Sequence, residues 1–206
     1  MDNESFVNNT VEYVVTPAIN GCWAFDSAKK LAETFLNDSS FNSKDEMVNS
    51  LINWESGKNS MVGFITSCGG AITIPVGIAG DLFASWVYQA RMSAAIAYIY
   101  DYDILDERVK TMVLLSILGD AGKEVLKDIG KEVCKKSAAN LIKHISGKTI
   151  IEINKKVGYR LLTKAGEKGV INLAKWVPVL GGFVGGIFDC VSCQAVGTTA
   201  KALFAR

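Results

Sequence analysis

Two carboxylates are the side chains of this sequence best placed to do chemistry. Asp81 lies in the apolar stretch "SCGGAITIPVGIAGDLFASWVYQA", and Asp189 lies in a second one, "KWVPVLGGFVGGIFDC". A carboxylate taken out of water must be paired, hydrogen-bonded or protonated. Arg91, Gln89, Gln194 or the backbone N–H groups of a neighbouring helix could do this. Asp81, Gln89, Arg91, Asp189 and Gln194 therefore make up the candidate polar site. Its plainest role is a network that fixes helix register inside an apolar bundle. Its functional role would be a polar site within an apolar cleft. A weaker reading makes Asp81 or Asp189 the carboxylate of a hydrolase.

Other chemistries find little support. "CVSC" places Cys190 and Cys193 in a CxxC. A redox pair of that kind needs a helix N-terminus to lower the thiol pKa, and here the pair follows the glycines inside a helix. Zinc needs a second Cys/His pair, and the one histidine, His144, lies in a Lys-rich helical segment. A nucleophile elbow of the Gly-x-Ser-x-Gly type is missing. "DYDILDE" lacks the glycine and spacing of a calcium loop. The Gly-rich stretches lack the Lys-Ser/Thr of a phosphate-binding loop. These residues require no metal and no cofactor.

The elements that must hold such a site read as helices. Residues 11–36 carry a helical pattern in which Ser27 is an N-cap and Ala28, Leu31, Phe35 and Leu36 share a face. Ser43 and Glu46 have capping-box spacing and open a helix over Met47, Leu51, Ile52 and Trp54. Thr73 and Pro75 open a helix that reaches about Tyr100. Its i, i+4 stripe of Gly77, Asp81, Ser85, Gln89, Ser93 and Ala97 is small and polar on an otherwise apolar helix. Asp103 is expected to cap the next helix, near Ile104. Residues 120–146 form a charged helix, with Lys123, Lys127, Lys131 and Lys135 at four-residue steps. Residues 149–174 read as one or two helices interrupted near "AGEKG". After Pro178, Gly181 pairs with Gly185 and Gly182 with Gly186 in two GxxxG spacings that let helix backbones approach.

The expected fold is therefore all-α, one domain over residues 1–206. It is a multi-helix bundle around a central Gly-rich apolar helical hairpin, about 60–100 and 176–204. Gly69, Gly70, Pro75, Gly77, Pro178 and the four C-terminal glycines are its packing positions.

A chain of 206 residues with 49% hydrophobic side chains can bury one real core. Its net charge of +1 argues against bulk nucleic-acid binding. Charge is uneven, however. Residues 121–168 carry twelve basic and five acidic side chains, a net of +7. Such a segment is either the most solvated part of the fold or a surface for anionic lipid. The opening "MDNESFVNNT" has no signal-peptide pattern, which points to a cytoplasmic protein with reduced cysteines. The 22 uncharged residues from Asn59 to Gly80 are long enough to span a bilayer. Only eight of them are strongly apolar, worth about −2.4 to −4.8 kcal/mol at roughly −0.3 to −0.6 each. Five glycines, polar residues and Pro75 work against them, so spanning is marginal.

The stretch "GFITSCGGAITIPVGIAGDLFASWVYQARMSAAIAYIYDYDILDERVKTMVLLSILG" resembles the EcsC family of bacterial proteins. Gly69, Gly70, Pro75, Asp81, Gln89, Arg91 and "IAYIYDYD" match the family's hallmark positions. The run from Pro178 to Asp189 matches its C-terminal motif, and "AINGCWAFDSAKKLAETFL" fits its opening helix. The resemblance implies an all-helical protein without established enzymatic activity. It also implies a link to transport or secretion, since the family is named after a gene beside an ABC transporter. Membrane association is suspected for such proteins because of these same apolar segments.

The sequence thus leads to a non-enzymatic accessory or interaction protein, peripheral to the inner face of the membrane. Its partners would be an anionic membrane surface or lipid, or another protein. The alternative is a soluble helical carrier for a lipid or other apolar small molecule.

Overall fold

The computed structural model describes residues 3–22, 25–57, 80–128, 142–173 and 181–205. Described residues form ten helices and no strand. In chain order these are α1 (Asn3–Asn8), a π-helical turn (Val11–Val15), α2 (Thr16–Asn20), α3 (Ala28–Leu36), α4 (Lys44–Gly57), α5 (Gly80–Ile99), α6 (Glu107–Ser116), α7 (Ala121–Asp128), α8 (Gly147–Leu173) and α9 (Gly181–Phe204). The all-α multi-helix bundle expected from the sequence is what forms.

Helix α5 is its axis. From Leu82 to Ile99 nearly every side chain is buried, which requires neighbours on all sides. They are α2, α3, α4, α6 and α9. Trp86, Phe83, Met92, Ile96 and Ile99 are almost wholly enclosed. Each such side chain stabilises the fold by about 1.5–3 kcal/mol relative to exposure. The ring of Phe6 lies 6.3 Å from that of Trp86 and fastens the N-terminal turn to this axis.

The two apolar helices α5 and α9 do pack side by side at the centre. Their direction differs from that of a hairpin. Gln89 meets Ser192, Met92 meets Cys193, and Tyr102 just past α5 packs its ring at a tilt against Phe204. Residue numbers rise together, so the helices run parallel. Helix α4 runs against both: Glu55 meets Arg91 and Asp45 meets Tyr100, while Asn53 meets Gln194 and Asn49 meets Lys201.

Local signals explain several helix ends. Ser27 accepts a hydrogen bond from the Lys30 N–H at 3.2 Å, the expected cap of α3. Ser43 accepts from the Glu46 N–H, and Glu46 reaches back to the Asn42 N–H at 2.8 Å. That is a capping box displaced by one residue. Three expectations need correction. The helical run 11–36 is broken at Gly21, whose φ of +79° turns the chain before α3. Asp106, not Asp103, caps α6 by accepting from the Arg108 N–H at 2.7 Å; Asp103 holds the Leu105 N–H in the preceding turn. Residues "AGEKG" do not interrupt α8, which is continuous through Leu173 because Gly lowers helix propensity without breaking it.

Helix α5 stops at "YDYD" for a visible reason. Asp101 takes φ +63°, the Tyr102 N–H donates to the Ala97 carbonyl, and the Asp101 N–H donates to that of Tyr98. This is a Schellman stop with aspartate where glycine is usual.

Of the sequence's packing positions, Gly69, Gly70, Pro75, Gly77 and Pro178 lie outside the described residues. Gly181, Gly182, Gly185 and Gly186 lie on the first turns of α9. The tight approach seen in α9 is at Gly197, where a Cβ would stand 2.7 Å from Ile52 Cγ1 of α4. Gly197→Ala is expected to lower stability by about 1–3 kcal/mol through overpacking. Combining it with Ile52→Ala should restore part of that loss. Urea unfolding of both single variants and the double variant checks this, and additive losses would refute the contact.

Candidate functional site

Arg91 is where the structure concentrates buried charge. Helix α5 carries it into the core opposite Glu55 of α4, with 3.8 Å between Nη1 and Oε2. The two side chains keep 8% and 0% of their surface exposed. The guanidinium also lies over two rings, 5.2 Å from the centre of Phe25 and 5.8 Å from that of Tyr88. Phe25, paired with Cys22 just after the turn at Gly21, supplies the first of these rings. The ring faces return part of what a desolvated arginine loses in hydration. Tyr88 belongs to the same cluster. Burial, together with the charge of Glu55 and a hydrogen bond to it, pushes its phenol well above the ordinary tyrosine value.

Gln89 serves a different contact. Positions 89 and 91 project from different faces of a helix. Gln89 Nε2 donates to Ser192 Oγ of α9 at 3.2 Å and lies 3.3 Å from Ser85 Oγ. One turn on, Ser93 and Ser116 of α6 share a 2.6 Å hydrogen bond. Ser116 Oγ donates to the Val113 carbonyl, so Ser93 is the donor between them. The stripe Ser85, Gln89, Ser93 and Ala97 is buried as its spacing implies. Gln194 sits elsewhere, donating to Asn53 Oδ1 at 3.1 Å near the surface. The side chains of Asp81 and Asp189 lie outside the described residues. Gln89, Arg91 and Gln194 are thus distributed over three separate cross-links. Cys193 is buried with its sulfur 3.8 Å from that of Met92, and the Cys190 side chain, like those of Asp81 and Asp189, is outside what the structure describes.

Sequence reading passed over Glu55, Tyr88, Phe25, Asp45 and Tyr100. Glu55 had a signal: Val48, Leu51, Ile52 and Glu55 follow the i, i+3, i+4, i+7 pattern of a buried helix face. At the other end of α4, Tyr100 donates to Asp45 Oδ1 at 2.6 Å, and Lys201 lies 3.4 Å from Asp45 Oδ2. The bond from Tyr100 holds the Asp45 carboxyl below the usual range. Burial, then Asp45, raises the Tyr100 phenol.

Chemically the Arg91–Glu55 cluster is a closed lock. Among the described residues no group of three or more His, Cys, Asp and Glu side chains could hold a metal ion. No helix among them is long and apolar enough to cross a membrane.

An accessible polar surface lies on α8. Its inner face buries Ile153, Val157 and Leu161, and Gly158 lets it approach Val7 of α1. Its outer face exposes Lys148, Ile151, Glu152, Lys155, Tyr159 and Thr163. Ile151 and Tyr159 are large side chains left 58% and 59% exposed. Residues 142–164 hold six basic side chains and one acidic, Glu152, which pairs with Lys156 at 3.6 Å. Arg160 is committed to Glu124 and Asp128 of α7. Lys143, Lys148 and Lys155 have no carboxylate partner among the described residues. Compared with known protein families, curated proteins and solved structures, the chain matches none.

Two outcomes are expected. Arg91→Met should cost about 3–5 kcal/mol, since it strands a buried carboxylate, whereas Glu55→Leu/Arg91→Met should cost much less than the two single changes together; equal, additive losses in urea unfolding would contradict a buried pair. Alkali should also weaken the fold. Tyr88 and Tyr100 keep their protons in the native state above pH ~10, where the unfolded chain releases them. The unfolded state then binds fewer protons, so stability falls as pH rises through that window. Tyr100→Phe should make the decline shallower, read from urea midpoints between about pH 8 and pH 11.

Proposed function

We propose that this chain is a non-enzymatic EcsC-like accessory protein that rests on an anionic membrane surface through the outer face of α8. The observation that carries this reading is the pairing of Ile151 and Tyr159 with Lys148 and Lys155 on one exposed helical face. Apolar and aromatic side chains that sink to the headgroup level, flanked by lysines, form the recognition chemistry of an interfacial helix. Each lysine near a negatively charged leaflet contributes about 1 kcal/mol. The resemblance to EcsC proteins, carried by the motifs from Gly69 to "IAYIYDYD", supports a role beside transport or secretion at the cytoplasmic leaflet. The buried Glu55–Arg91 lock supports an interaction role over a catalytic one, because both charges face protein on all sides.

Flotation of the full chain with phosphatidylcholine vesicles containing roughly a third phosphatidylglycerol tests this. Binding is expected at low salt and should fade as added salt shortens the Debye length toward ~3 Å. Lys148→Gln/Lys155→Gln should weaken it on the order of thirtyfold, the equivalent of about 2 kcal/mol. Equal binding to pure phosphatidylcholine, or no change in the double variant, would sink the proposal.

A further inference from the structure

Ser192 of α9 holds a hydroxyl proton that the fold leaves unused. Its Oγ accepts from the buried Gln89 Nε2 at 3.2 Å, and among the described residues it makes no other hydrogen bond. A serine hydroxyl donates as well as accepts. Ser192 also lines a cleft of about 200 Å³ where α6 ends. Ile117 and Val196, both almost wholly buried, are the deep apolar part of that lining, and Val191 stands 64% exposed at the rim. Small residues keep the space open: Gly119 turns the chain with φ +60°, and a Cβ on it would lie 3.5 Å from the Ala195 Cβ. The charges of the lining are engaged elsewhere. Asp120 meets Lys123 at 2.7 Å, and Lys164 has a partner of its own. An ion entering the cleft would shed water without gaining a counter-charge, so the lining favours a neutral occupant.

We propose that this cleft binds a neutral carbonyl compound about the size of a substituted benzene ring, its oxygen accepting from Ser192 Oγ and its apolar body lying against Ile117, Leu118 and Val191. An apolar cavity of about 150 Å³ holds benzene, so this cleft has room for a ring and a short acyl group. It is too small for the paired chains of a phospholipid. Burial of the ring supplies the attraction. The hydroxyl supplies the choice, because an oxygen buried here without a donor would cost what a hydrocarbon does not lose. The site goes beyond the membrane-surface reading and does not depend on it.

The test titrates the full chain with acetophenone, with isopropylbenzene, which has the same shape and no oxygen, and with benzoate, which carries a charge, each followed by the ligand's own magnetic resonance signals. Acetophenone is expected to saturate one site and to bind about tenfold more tightly than either of the others. Ser192→Ala should bring acetophenone down to the level of isopropylbenzene and leave isopropylbenzene within about twofold; a mere loss of packing would weaken both alike. Ala195→Leu, which fills the cleft, should abolish binding while vesicle flotation stays as in the parent chain. If Ala195→Leu does not fold, the acetophenone-to-isopropylbenzene ratio in Ser192→Ala decides the matter. Benzoate binding as tightly as acetophenone, a ratio unchanged by Ser192→Ala, or full binding by a folded Ala195→Leu would each overturn the proposal.

Discussion

A helix that is apolar on nearly every side has to be surrounded, and that requirement on α5 organises the molecule. An amphipathic helix can be half-buried and stop there. The side chains of α5 from Leu82 onward leave no face for water, so α2, α3, α4, α6 and α9 are all recruited to it. Burial is non-directional, however. By itself it would let neighbouring helices slide or turn along one another.

Direction comes from the polar cross-links. Glu55–Arg91 and Asp45–Tyr100 fix α4 to the middle and the C-terminal end of α5, and Asn53–Gln194 with Asn49–Lys201 fix it to α9. Gln89–Ser192 and Ser93–Ser116 set α9 and α6 against the same axis. The Glu55–Arg91 pair adds little net stability once its desolvation is counted. It makes alternative registers costly, because each one-turn slip of α4 would strand a charge in an apolar interior. Ile52 seated over Gly197 does the same by shape.

What could be read from the residues divides along physical lines. Periodicity revealed the helices, because burial of one face leaves its spacing in the sequence; α3, α4 and α5 are examples. Caps were legible where the hydrogen bond is local, as at Ser27 and Ser43, and less so where several acidic residues compete, as Asp103 and Asp106 do before α6. The small stripe through Ser85, Gln89 and Ser93 was visible for the same periodic reason. Which polar residue meets which was not legible. Glu55 and Arg91 are 36 positions apart and carry no mark of pairing, whereas Gln89, Arg91 and Gln194 look like one cluster on the page and serve three partners in space. The direction of α9 relative to α5 was likewise invisible, since apolar pattern is the same read either way along the axis.

That parallel direction has a consequence for biosynthesis. Two parallel helices need the chain to return the full length of the bundle between them, and about eighty residues separate the end of α5 from the start of α9. At ~5–20 residues per second, a ribosome takes roughly 4–16 s to supply them. During that interval α5 has its earlier neighbours but lacks α9, and the flank that will hold Ser192 and Cys193 stays open. The last helix to be made is one the first half has been waiting for. For those seconds of synthesis, the apolar flank of α5 that faces α9 in the finished bundle has no α9 to cover it.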